Sequence, residues 1–151
     1  MKQYIGSKIV KAEPMSWADY AVKYRDQAVV TPDMVQKEGY LVVYADDYIS
    51  WSPKEAFEEA YRQTDGMSFG LALEACKMGK RIARKGWNGK GMYVFLADEV
   101  AFHTAADISE FEDTGVPVLD CLCMRTADRS ICPGWLASQT DMLADDWVIL
   151  E

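Results

Sequence analysis

The chain reads as an α+β protein, with small antiparallel sheets and packed short helices in two compact units. Three observations predict this. Short apolar runs bounded by turn residues recur, as at Gly39–Trp51, Met92–Leu96 and Cys121–Thr126. Short runs of helical period follow serines able to cap them, at Ser16, Ser52 and Ser68. A polar, turn-forming stretch, Gln63-Thr64-Asp65-Gly66, separates the first part of the chain, 1–66, from the second, 67–151.

In the first unit, Tyr4–Val10 alternates loosely and predicts an opening strand. Ser16 then caps a helix over 17–27 that places Trp17, Tyr20, Ala21 and Tyr24 on one face. Thr31-Pro32-Asp33 restarts the chain. Gly39 to Trp51 predicts a β-hairpin turning near Ala45-Asp46-Asp47. Ser52-Pro53-Lys54-Glu55 has the pattern of a capping box, with Ser52 as N-cap and Pro53 at the first helical position. That helix should run to about Arg62 and bury Ala56, Phe57, Ala60 and Tyr61.

In the second unit, Ser68 caps a helix with Phe69, Ala72, Leu73 and Cys76 at helical spacing, and Gly79 ends it. Strands are predicted at Lys80–Arg84, Met92–Leu96, Cys121–Thr126 and Trp147–Leu150. Residues 97–120 are acidic and irregular, with at most two strands, Val100–His103 and Val116–Leu119. Pro133-Gly134 breaks the chain, and a short helical turn follows at Thr140–Leu143.

Composition excludes several classes of function. The 151 residues are half apolar, enough for a real core. No apolar run approaches the ~18 residues needed to span a bilayer as a helix. The opening Met1–Pro14 stretch is too short and polar to read as a secretory signal. The four cysteines lack a regular framework, so reduced thiols in a cytoplasm are expected. A formal net charge of -8 argues against DNA, RNA or anionic lipid as partners, because each rewards spread positive charge.

Against that acidity, Lys77–Lys90 carries six positive charges and no negative one. Such an island points to a local anionic ligand. It ends in Gly86-Trp87-Asn88-Gly89-Lys90-Gly91, which offers an aromatic face, an amide and an ammonium. A nucleotide needs these for its base, its polar edges and its phosphates. The blander reading is a glycine-rich turn with solvated lysines.

Downstream, Ser138, Thr140 and Asp141 cluster at the start of the short helix. There, orphan amides and side-chain acceptors can hold ribose or phosphate oxygens. The blander reading is a capped turn.

Conventional catalytic sets are weakly represented. His103 is the only histidine, which disfavours a Ser-His-Asp or Cys-His-Asp site. Cys121 and Cys123, with Cys132, resemble part of a metal site, whose fourth ligand would have to be Cys76 or His103; small buried hydrophobes are the alternative. Asp145-Asp146 is a surface acidic pair whose side chains should point apart. No cofactor is expected.

Taken together, Met67–Leu96, Met124–Asp128 and Trp135–Trp147 resemble the Thoeris anti-defence protein 2 family. Residues 1–66 are similar to a short module of phage proteins. The resemblance implies a phage counter-defence protein in the infected bacterial cytoplasm. It would bind and sequester cyclic ADP-ribose-type signals, and in some members cyclic dinucleotides, without cleaving them. It also implies a homo-oligomer, dimer or tetramer, with pockets between subunits. On this reading Trp87 stacks on the base, Asn88 meets a base or ribose edge, and Arg84 and Lys90 face phosphate. Phe69 covers the pocket, and Ser138, Thr140 and Asp141 hold polar edges. Trp51 and Trp147 are expected in the core. A nucleotide-hydrolysing enzyme and an adaptor that docks a host protein stay open as alternatives.

Overall fold

The computed structural model describes residues 1–3, 6–26, 29–97 and 119–150. It divides into two compact units, Met1–Arg62 and Gln63–Glu151, and the fold is α+β with two antiparallel sheets.

The first unit contains β1 (Lys11–Pro14), α1 (Trp17–Tyr24), α2 (Pro32–Gln36), β2 (Gly39–Val43), β3 (Ile49–Pro53) and α3 (Lys54–Ala60). Its three strands lie in the order β1-β2-β3. The expected hairpin forms with Leu41 opposite Trp51, and its turn is tightened by Asp47 at φ 60°. Ser16 caps α1 by accepting the Asp19 amide at 3.1 Å. The helix ends at Tyr24, short of residue 27, and buries Ala18, Tyr20 and Ala21. Trp51 is half-buried. Its Nε1 donates to the Met15 carbonyl at 2.9 Å, and its ring meets Trp17 edge-on at 5.1 Å.

Two expectations fail here. The opening strand is Lys11–Pro14 and not Tyr4–Val10: Gly6–Val10 has no strand structure, and Tyr4 and Ile5 lie outside the described residues. All four residues of β1 are exposed, so the strand is held by backbone pairing to β2 and carries no apolar signature. The predicted capping box also does not form. Ser52 stays in β3 opposite Tyr40, and the helix starts at Lys54 with Pro53 as N-cap and no side-chain bond. Strand pairing through Pro53 outcompetes the cap. The helix α3 ends at Ala60 and fully buries none of Ala56, Phe57, Ala60 or Tyr61. Phe57 instead stacks between Tyr40 and Tyr61, at 4.2 and 4.8 Å.

The second unit contains α4 (Phe69–Lys77), β4 (Arg81–Arg84), β5 (Tyr93–Ala97), β6 (Cys121–Arg125), β7 (Ile131–Pro133), α5 (Gln139–Met142) and β8 (Trp147–Leu150). The sheet order is β7-β6-β5-β4-β8, antiparallel throughout. The first and last parts of this unit are therefore stitched together: β4 lies between β5 and β8, with Arg84 opposite Trp147. Met67 and Trp147 exchange backbone hydrogen bonds of 2.8 and 3.1 Å.

α4 stops as predicted at Gly79, whose φ of +79° suits glycine. The Gly79 amide donates to Cys76 and the Lys80 amide to Ala75, which satisfies two orphan carbonyls. The buried face of α4 (Ala72, Ala75, Cys76) packs on Ile82, Val94 and Met124 of the sheet, with Met67 and Trp147 in the same cluster. β7 was missed in the sequence for the same reason as β1: it is an edge strand with every residue exposed. His103 and the strands expected at Val100–His103 and Val116–Leu119 lie outside the described residues, except Leu119, which is exposed. No described helix is long and apolar enough to cross a membrane.

Candidate functional site

Antiparallel pairing of β4 with β8 brings the end of the basic island beside the 138–147 segment. Arg84 sits at the end of β4, with its side chain 18% exposed. Its Nε donates to Asp146 Oδ1 at 2.8 Å. Its Nη1 donates to Asp141 Oδ1 at 2.9 Å and to the Thr140 carbonyl at 3.1 Å. The planar fork of arginine suits this clamp between two carboxylates, which a point-like ammonium could not reproduce.

Asp141 is the hub. Oδ1 accepts from Arg84 and, at 3.1 Å, from Trp87 Nε1. Oδ2 accepts from the Ser138 hydroxyl at 2.6 Å and the Ser138 amide at 3.2 Å. The Asp141 amide donates back to Ser138 Oγ at 3.1 Å, completing a capping box on α5. Its backbone carbonyl takes the Trp147 indole N–H at 2.9 Å. Burial alone would push the Asp141 carboxyl up, but hydrogen bonds from Ser138, Arg84 and Trp87 outweigh it and hold it down at about 2. The Arg84 hydrogen bond likewise lowers Asp146, and Asp146 and then Asp141 raise Arg84.

Asp146 also accepts the Gly86 amide, at 2.8 Å. The approach is close enough that a Cβ at Gly86 would lie 2.8 Å from that same oxygen, so any side chain there would displace the Asp146 carboxylate.

Above this network three indoles meet edge to face. Trp87 lies 5.4 Å from Trp147 and 6.1 Å from Trp135, and Trp135 lies 6.4 Å from Trp147. Phe69 reaches Trp147 at 5.3 Å. Trp147 is fully buried, whereas Trp87, Trp135 and Phe69 are half-buried.

Of the residues singled out in the sequence, the structure joins Arg84, Trp87, Ser138, Thr140 and Asp141 in one hydrogen-bonded group, with Phe69 one ring away through Trp147. Asn88 and Lys90 are exposed on the loop that follows Trp87.

The basic island is not one cationic surface. Arg81 and Arg84 are an odd number of positions apart on a strand and face opposite sides. Arg81 lies over Tyr93. Lys77 pairs with Glu74 at 2.7 Å, and Lys85 approaches Asp65 at 3.6 Å. Arg84, flanked by two carboxylates, has its Nε and Nη1 hydrogens committed, and all four acceptor positions of Asp141 are taken. These two side chains are partners of each other, and Lys90 is exposed on the loop after Trp87.

Sequence reasoning missed Asp146, set aside with Asp145 as a surface pair. It also missed Trp135 as a wall of the indole cluster. No local signal marks either one, because both roles depend on pairing between distant strands.

Cys121 and Cys123 share one side of β6, with Sγ atoms 3.7 Å apart. Among the described residues no three His, Cys, Asp or Glu side chains gather into a metal cage. Cys76 is buried among apolar side chains of the main cluster.

Two comparisons bear on this unit. The family profile Tad2-like, described as "Thoeris anti-defense 2-like domain", matches residues 67–150. The protein "Thoeris anti-defense 2" of Bacillus phage SP01 is 42% identical over 86 residues, which cover 56% of this chain and 96% of that relative.

Proposed function

Since the chain belongs to the Thoeris anti-defense 2-like family, and so to the anti-defence proteins of phage, we propose that its second unit binds a cyclic ADP-ribose-type immune signal and sequesters it without cleaving it. Cyclic dinucleotides are a second ligand class for the same chemistry. The observation that carries this reading is the fixed indole of Trp87. It is tied through Nε1 to Asp141 and braced edge-on by two other tryptophans, with Asn88 and Lys90 exposed on the adjoining loop.

A braced aromatic plane loses little freedom when a base stacks on it, and such stacking contributes about 1–3 kcal/mol per base. Charge-assisted bonds to phosphate add about 1.5–3 kcal/mol each. A few such contacts reach nanomolar affinity, about -12 kcal/mol.

Local charge sorts the roles. The Arg84–Asp141–Asp146 group carries one positive and two negative charges, so it does not attract phosphate. Lys90 takes the phosphate, Asn88 a base or ribose edge and the Thr140 hydroxyl a remaining polar edge, while Ser138, its hydroxyl committed to Asp141 and Thr140, holds the cap beneath it. Asp141, itself clamped by Arg84, holds Trp87 in place. Phe69 closes the apolar side. A sequestering protein needs affinity and no general base, so none is assigned. The setting is the cytoplasm of the infected bacterium.

The test is to incubate cyclic ADP-ribose isomers with excess protein, denature the protein and analyse all the nucleotide in the supernatant. Intact cyclic nucleotide is the expected result. Linear products would establish a hydrolase instead. Stoichiometric capture of a host protein with no nucleotide bound would establish an adaptor.

A further inference from the structure

The thiol pair on β6 is unused by the site above. Cys121 Sγ and Cys123 Sγ are 3.7 Å apart on one side of the strand. Cys121 is half-buried and Cys123 is buried. The residue between them, Leu122, faces the opposite side and packs against the main core cluster. Its carbonyl accepts the Trp135 amide at 2.8 Å. Trp135 in turn stands edge-on to Trp87 and Trp147. One short path therefore runs from the two thiols through Leu122 to the indole cluster.

We propose that Cys121 and Cys123 form a redox-sensitive dithiol that low-molecular-weight disulfides oxidise to an intramolecular disulfide, and that closing this bond displaces Trp135 from the indole cluster. The chemistry is two successive exchanges. The Cys121 thiolate attacks one sulfur of the small disulfide, forms a mixed disulfide and expels one small thiolate, which takes up a proton. Cys123, whose thiol burial pushes up to about 11, then loses its proton as its sulfur attacks the Cys121 sulfur and expels the second small thiolate, which is likewise protonated. Two electrons and two protons pass from the protein dithiol to the small disulfide, which leaves as two thiols. Cys121, the more accessible of the two, is the entry point, and Cys123 resolves the adduct.

Closure must distort the strand. Alternate residues of an extended strand have Cα atoms about 6.6 Å apart, near the upper end of what a disulfide spans, and the sulfurs must close to about 2.05 Å. The backbone therefore puckers at Leu122, the residue whose carbonyl anchors Trp135. A strained, short-range bond of this kind is readily reduced again.

Cys132 is exposed and would compete for oxidant, so the test uses the full chain carrying Cys132→Ser. The protein is incubated with oxidised glutathione, acid-quenched, denatured, alkylated and analysed by mass spectrometry, while indole emission is followed in a parallel sample. The expected product has Cys121 linked to Cys123, two hydrogen masses lost and no glutathione retained. Adding Cys123→Ser should arrest the reaction as a glutathione adduct on Cys121. Indole emission should shift on closure, return on reduction, and not shift in the arrested variant.

Two results would overturn the dithiol: a glutathione adduct that persists with both thiols present, or no reaction in the folded chain while the urea-unfolded chain oxidises. A disulfide that forms with unchanged indole emission would overturn the coupling to Trp135. The consequence for nucleotide, a loss of at least threefold in affinity, rests on the proposed site. The mass and emission readings are taken without nucleotide and stand or fall separately from it.

Discussion

Asp141 shows how one side chain can turn a turn-forming segment into a scaffold. Its carboxylate receives four hydrogen bonds, which tie α5 to the end of β4 and to Trp87. The folded carboxyl titrates at about 2, below its ordinary 3.8, so the unfolded chain binds the proton more readily. The resulting stabilisation is complete above about pH 4 and is lost as pH falls through about 2. It amounts to about 2 kcal/mol. Acid titration of the denaturant midpoint should show this fall, and Asp141→Asn should flatten it while lowering stability at neutral pH. Asp146, lowered by its Arg84 bond, acts in the same direction.

Trp87 belongs to the same scale. It is half-buried, and Trp147 rather than Trp87 fills the core. Trp87→Ala should therefore weaken nucleotide binding at least tenfold, read by calorimetry, while circular dichroism stays native-like. Unchanged affinity would remove Trp87 from the site.

Among the elements, the helix starts separate two serines that look alike in sequence. Ser138 caps α5 with its hydroxyl and belongs to a reciprocal box with Asp141, whereas Ser68 starts α4 with no side-chain bond. Ser138→Ala should cost about 1 kcal/mol, and more where the loss of its bond to Asp141 loosens the Arg84 clamp. Ser68→Ala should cost a few tenths of that, because there is no cap bond to lose. Comparing the two denaturation midpoints checks the assignment; equal losses would contradict it. The contrast explains why α5, only four residues long, persists: it is held by its cap, by the Arg84 bond to Thr140 and by the Trp147 bond to Asp141, and not by helix propensity.

For the whole molecule, each unit has its own sheet and its own buried cluster. All the candidate site residues lie in Gln63–Glu151. A fragment starting at Gln63 keeps the Thr64 carbonyl that accepts the Ile149 amide and the Met67–Trp147 bridge, so both ends of the sheet stay paired. That fragment should fold and retain nucleotide binding, measured by calorimetry. A folded fragment that has lost binding would place pocket residues in Met1–Arg62.

The surface around α5 exposes Leu136 at 88%, Leu143 at 80% and Met142 at 45%. Apolar side chains so exposed and so close in the chain favour self-association. Light scattering of the full chain at micromolar concentration should give a dimer or tetramer; a monomer would count against it.

Local chemistry alone determined a good part of this protein. The hairpin around Asp46-Asp47, the Ser16 cap, the Gly79 stop and the amphipathic α4 all follow from residues a few positions apart, so they are legible in the sequence. The edge strands β1 and β7 were not legible, because backbone pairing with no buried face leaves no apolar pattern. The Ser52 cap was misread because a local preference lost to strand pairing. The grouping of Trp87 with Ser138, Thr140 and Asp141 was implied by the family resemblance. The settings of Arg84 and Asp141 as mutual partners and of Asp146 as the second anchor were decided only by the pairing of β4 with β8, and that of Trp135 as a wall by its tie to β6. Strands far apart in sequence meet there, and a charge that looks available in the sequence finds its counter-charge before any ligand arrives.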